Sequence, residues 1–228
     1  AGGLTIASVI FGITLSTLHQ SGLGALFLMA KSKIHPLWYS EFIPVLFFVS
    51  SIFAGLSMVI FEGSISHKVF KARLNHEQHA THDRMLIGLG RICVGAMFVY
   101  FFLKILVLIH SQQWRLLFTG WGAWYAVEMI GGVLFPGYLF FRAIKERKVK
   151  LIRAAAVFTL LGIILNRLNI SVIAFNWFAE NPYVPSWMEI EVTAAIICLE
   201  IWVFRWIVLR MPVLSDPPDW AAGMDDDH

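Results

Sequence analysis

The residues best able to do chemistry in this chain are ionisable groups set within long apolar runs. Glu128, Arg167, Glu200 and Arg205 stand in such runs, as do Lys104 and Arg91. A charge in hydrocarbon is costly and is kept where it is paired or used. Around a helix, Glu189 and Glu200 share a face, and so do Glu191 and Arg205. A ladder of carboxylates and guanidinium groups suits proton relay, and Glu128, Arg167, Glu200 and Arg205 are its catalytic candidates. The structural alternative is that Arg167 and Arg205 pair with Glu128 and Glu200 to hold helices together.

Histidine is the second chemical signal. His19, followed by Gln20 and Ser21, is the one histidine well inside an apolar run. An imidazole titrates near neutrality, so it can both donate a hydrogen bond and carry a proton. A b-type haem in a membrane normally needs two histidines facing each other from different helices. His110 stands at a helix end and the others in loops or the tail, so no haem is expected. His76, His79 and His82 have helical spacing, but they lie in a polar segment without cysteine partners. A solvated loop is expected there, with no metal site. Cys93 and Cys198 lie in apolar runs and support neither a disulfide framework nor a cysteine-rich metal site. Walker, nucleophile-elbow and HExxH patterns are lacking, which argues against hydrolysis and phosphoryl transfer. Electron or proton work with a lipid-soluble partner, transport, or anchoring remain, and the chain is not expected to be an enzyme on its own.

Helices in lipid must position these groups. Of 228 residues, 58% are hydrophobic and 14% charged, with a mean hydropathy of +0.70. Soluble domains carry about 25% charged residues. The net charge of +3 is too small to point to nucleic acid. Six apolar stretches have crossing length, at 4–29, 42–61, 85–109, 121–141, 151–173 and 190–209. Unpaired backbone amides are too costly in hydrocarbon for anything but helix or closed barrel, and no barrel alternation is present. The expected fold is therefore an all-α, polytopic transmembrane bundle over 1–211, followed by an acidic tail at 212–228. Glycines at Gly131, Gly132 and Gly12 (with Ser16) are read as close-packing positions. The chain opens at Ala1 already in an apolar run, so further residues are expected upstream.

Six crossings put the loops at 62–84 and 142–153 and the tail on one side. That side carries Lys68, Lys71, Arg73, Arg84, Arg142, Lys145, Arg147, Lys148, Lys150, Arg153 and Arg210, against Lys31, Lys33 and Arg115 on the other. The basic side, with the C-terminus, is expected to be cytoplasmic. Trp38, Tyr39, Trp114, Trp177, Tyr183 and Trp187 on the opposite side suit an interfacial belt. With these directions, Glu128 lies roughly 10 Å inside the outer end of its span. His19, Lys104, Asn166, Arg167, Asn169, Glu189 and Glu191 fall in the same outer layer.

Two stretches carry a family resemblance. One is Leu18-His19-Gln20-Ser21-Gly22-Leu23-Gly24, then His35-Pro36-Leu37-Trp38-Tyr39 and Gly55-Leu56-Ser57-Met58-Val59-Ile60-Phe61-Glu62. The other is Asn166-Arg167-Leu168-Asn169, Pro185-Ser186-Trp187-Met188-Glu189-Ile190, Phe204-Arg205-Trp206 and Arg210-Met211-Pro212. Together they resemble the NrfD/PsrC-type (polysulfide reductase) membrane subunits, and most closely the HybB-like branch found with periplasmic nickel–iron hydrogenases. The resemblance implies a haem-free, quinone-reactive subunit in the bacterial cytoplasmic membrane. It would dock on a ferredoxin-like iron–sulfur subunit at the periplasmic face. Electrons would pass between that subunit, the hydrogenase behind it, and menaquinone or ubiquinone in the respiratory chain.

Such subunits have about ten helices, so these six resemble the C-terminal part of one. The first span, with His19, would be the last helix of the quinone-binding bundle. On this reading His19 and Gln20 are quinone-site candidates, with Trp38 and Tyr39 at its entrance. For the last two, anchoring of the loop at the interface is the preferred role. A proton-translocating or purely anchoring subunit of another such complex, linked to multihaem cytochrome, polysulfide or sulfite, is the alternative.

Overall fold

A computed structural model describes residues 2–69, 76–175, 177–180 and 185–210, with side chains undescribed at 2–6, 66–69, 76–82, 208 and 209. Residues 1–182 form one compact unit and 183–228 a second. In the first, α1 (Gly2–Leu26) ends in a 3-10 turn, Phe27–Ala30, and a loop leads to α2 (Ile43–Val69). Next come α3 (His76–His110), a 3-10 segment at Gln113–Phe118, α4 (Gly120–Met129) and α5 (Phe135–Glu146). A π-helical turn, Ile130–Leu134, joins α4 to α5 in one rod, and α6 (Val149–Leu168) runs into another, Asn169–Ile173. The second unit contains α7 (Trp187–Arg210).

All the described elements are helical, apart from one isolated bridge between Ile34 and Phe175. Five helical segments are long and apolar enough to cross a membrane: Ala7–Ala30, Ile43–Ile65, Asp83–His110, Gly120–Glu146 and Val149–Ile173. The sixth expected span corresponds to α7, a helix of 24 residues that carries Glu189, Glu191, Glu200, Arg205 and Arg210. Outward-facing Phe11, Met29, Phe98, Phe118 and Leu161 are exposed apolar side chains, while Lys104 and Glu128 are buried. That inversion is what lipid as solvent demands, and the chain is an integral, multi-pass membrane protein.

The polar segment at 62–84 was expected to be loop. The described parts of it, 62–69 and 76–84, continue α2 and α3 as helix, with no proline to interrupt them. The side chains of His76, His79 and His82 lie outside the described residues, as does the acidic tail.

α2 is central, packing against α1, α3 and α6, and α5 packs against α3 and α6. Phe53, Ile60, Cys93, Phe140, Ile152 and Ala156 are among the residues filling the core. Gly132 and Gly162 let the α4–α5 rod and α6 touch, since a Cβ added at Gly162 would lie 2.5 Å from Gly132 Cα. Gly131 and Gly12, also read as packing positions, have no atom within 4 Å of an added Cβ. The π turn has its own local cause. Pro136 lacks an N–H and its ring would crowd the carbonyl four residues back, which an extra residue in the turn relieves.

Candidate functional site

Glu128 is the centre of the site, two turns into α4 and one residue before its end. It is 2% exposed. Three side-chain N–H groups donate to its carboxylate. Trp38 Nε1 reaches Oε2 at 2.7 Å, Asn166 Nδ2 reaches Oε1 at 2.6 Å, and Asn169 Nδ2 also donates to Oε2. An ionised carboxylate only accepts, so this convergence of donors fits its lone pairs.

Each asparagine is held in that orientation by a second partner. Asn169 Oδ1 accepts from Trp124 Nε1 at 3.0 Å, and Asn166 Oδ1 accepts from Arg167 Nη1 at 3.0 Å. The two amides lie three residues apart at the end of α6, where the helix loosens into its π turn. Such turns recur at functional sites because they re-aim side chains. A second one directly follows Glu128.

Arg167 therefore reaches Glu128 through Asn166, and the direct pairing considered from sequence is replaced by a bridged one. Its Nη2 donates to Ser50 Oγ on α2 at 2.8 Å, and its guanidinium lies 3.6 Å from the centre of the Phe47 ring. Lys104, 5% exposed on α3, places its ammonium 5.4 Å from the Tyr125 ring and 5.9 Å from Tyr100. Glu128 and Arg167 both act on it electrostatically. The cluster thus holds two cations, one carboxylate and two amides from α3, α4 and α6 with its π turn. Groups so desolvated interact far more strongly than they would in water.

Trp38 arrives from the α1–α2 loop, which folds into the bundle end. Ile34, His35, Leu37 and Trp38 are all buried, and His35 N donates to Ala174 O at 2.9 Å. The His35 ring stacks on Trp121 at 5.1 Å and meets Trp38 and Trp177 edge-on, while its Nδ1 accepts from Leu37 N at 3.2 Å. Burial holds the imidazole below its ordinary pKa.

Of the residues singled out from sequence, Glu128, Arg167 and Trp38 come together. The expected interfacial anchoring of Trp38 is corrected: the residue is 1% exposed, because its indole N–H finds Glu128 as acceptor. Tyr39 faces elsewhere, donating to Leu28 O at 3.4 Å and lining an open cavity of 360 Å³ beside Glu41 and His110. His19 is exposed and Gln20 half-buried on α1, outside the cluster. On α7, Glu200 and Arg205 are five positions apart and so on different faces, and no ion pair joins them among the described residues. Sequence reasoning placed Asn166 and Asn169 in the outer polar layer and in a family motif but gave neither an individual role, although their spacing of three on a charged helix end was a usable signal. His35 stood out only as part of a motif, and Ser50 and Trp124 carried no signal.

Comparison with known proteins adds the following. A protein of Nitratidesulfovibrio vulgaris (strain Hildenborough) is 47% identical over 223 residues, covering 95% of this chain and 56% of its own. The probable Ni/Fe-hydrogenase 2 b-type cytochrome subunit of Escherichia coli K12 is 27% identical over 213 residues, covering 92% and 52%. The chain thus spans about half the length of the curated relatives it matches. No solved structure matches it significantly.

The name of the second relative corrects the expectation that no haem is present, since a b-type cytochrome is a haem protein. Among the described residues, no ring contact pairs two histidines, and no three His, Cys, Asp or Glu side chains gather to hold a metal. His35 already uses Nδ1 and is walled by tryptophans. These described residues do not by themselves frame a bis-histidine site. The family model described as polysulphide reductase, NrfD matches residues 1–179, well over half of the sequence, and the chain belongs to that family.

Proposed function

We propose that the chain is a quinone-interacting membrane subunit of a hydrogenase-type respiratory oxidoreductase, in which the Glu128 cluster handles protons. The observation that carries this reading is a carboxylate at membrane depth, held by three N–H donors, with Arg167 bridged to it through Asn166 and Lys104 set over the ring of Tyr125. A quinone becoming quinol takes up electrons and protons in equal number. The electrons would come from an iron–sulfur partner docked at the Glu128 end, and the protons need a group that can hold them beside lipid.

Glu128 is that group. Arg167, bridged through Asn166, and Lys104 oppose any excess negative charge, and Trp38 fixes the carboxylate in place. Tyr39 at the rim of its cavity, and His19 with Gln20 on α1, are the proposed quinone contacts. Glu200 and Arg205 on α7, in the second unit, are proposed proton-relay residues in their own right. The basic side of the bundle and the tail face the cytoplasm of a bacterial cell, which puts the Glu128 end toward the periplasm. The hydrogenase subunit among the relatives supports the choice of partner.

The test is a purified complex with every subunit present, assayed with a quinone analogue. Reduction or oxidation of the analogue is expected, and its absence with all subunits in place refutes the reading.

A further inference from the structure

A cavity of 520 Å³ opens at the far end of α3 from Lys104. Asp83, Arg84, Ile87, Gly88 and Arg91 line it from α3, and Arg147 lines it from the turn between α5 and α6. The α3 residues recur at helical spacing and so share a face. The crossing rod of α4 and α5 ends at Glu146, next to Arg147, so the cavity sits at a span boundary.

Among the described residues its charge is unbalanced, with three guanidinium groups against one carboxylate. The nearby ion pairs run from Arg142 and Lys148 to Glu146 and leave the cavity out. Among the described residues, no ion pair or side-chain hydrogen bond engages Arg84, Arg91 or Arg147. The floor is open as well, because a Cβ added at Gly88 meets nothing within 4 Å. Arg147 is one of two non-glycine residues with positive φ among the described residues, at φ 49° and ψ 34°. Glycine or asparagine is the usual residue at such a helix end, and the Cβ of arginine is strained there. A backbone cost retained at the wall of a basic cavity points to use of its side chain.

We propose that this cavity binds the phosphate headgroup of an anionic phospholipid. Guanidinium groups match phosphate oxygens in shape and charge, and basic pockets between helices at a membrane boundary take such headgroups. Lipid is the source because the cavity adjoins apolar surface: Ile87 is in its wall, and Met85, next along the helix, is 58% exposed. Acyl chains would lie there while the phosphate enters.

The test follows thermal unfolding of the full chain in neutral detergent as phosphatidylglycerol, phosphatidylcholine or inorganic phosphate is titrated in. Phosphatidylglycerol alone is expected to raise the midpoint. Arg91→Gln and Arg147→Gly should each weaken its apparent affinity about tenfold. Gly88→Leu should abolish the effect by filling the floor without removing a charge. Arg147→Gly suits the positive φ and Gly88→Leu suits a helix, so both should match or exceed the parent in unfolding midpoint without lipid. An equal shift from phosphatidylcholine or inorganic phosphate overturns the proposal, as does a phosphatidylglycerol shift that survives all three substitutions.

Discussion

Gly132 and Gly162 touch backbone to backbone one helical turn from the hydrogen bond between Glu128 and Asn166. Glu128 lies four residues before Gly132, and Asn166 lies four after Gly162. The two helices run antiparallel, so one close crossing brings the carboxylate and its amide donor into register. The site is thus built on a packing contact.

Gly162→Ala should destabilise the bundle by about 1–3 kcal/mol, because the new methyl meets Gly132 backbone with no side chain to yield. Gly131→Ala, which meets nothing within 4 Å, should cause no loss. Unfolding of the two variants in detergent, side by side, checks the difference.

Trp38→Phe keeps an aromatic ring against Tyr125, whose centre is 5.4 Å away, but removes one donor to Glu128. A hydrogen bond to a charged group is worth about 1.5–3 kcal/mol, and a stability loss of that order is expected. An interfacial tryptophan replaced by phenylalanine would show almost none, so equilibrium unfolding separates the two roles.

Hydropathy made the helices legible, because lipid imposes one rule on every crossing segment. It read 62–84 too bluntly, since a helix does not stop where its residues turn polar. Glu128 and Arg167 were visible as charges out of place. Their connection was not: it depends on a glycine crossing, a π turn and a loop tryptophan folded inward, none of which has a periodic signature. Trp38 shows the limit best, because its composition and loop position suit an interfacial anchor, yet it is buried at the centre of the site.

His35 gives a pH prediction. Burial lowers its folded-state pKa below 6.5, and the Leu37 N–H it accepts requires an unprotonated Nδ1. Below that value the unfolded chain binds more protons than the native one, so stability present above about pH 6.5 is lost as pH falls. The unfolding midpoint should drop between about pH 7.5 and pH 5. His35→Phe should lower the midpoint at neutral pH and flatten this dependence.

The measurement closest to the central claim compares the intact complex carrying parental Glu128 with one carrying Glu128→Gln. Both are matched for assembled subunits and assayed with a quinone analogue and, separately, with a soluble artificial electron acceptor. Loss of a positioned proton-transfer group should slow quinone turnover about 100-fold, while the soluble acceptor is reduced at the parental rate. Unchanged quinone turnover in an assembled Glu128→Gln complex would contradict the account.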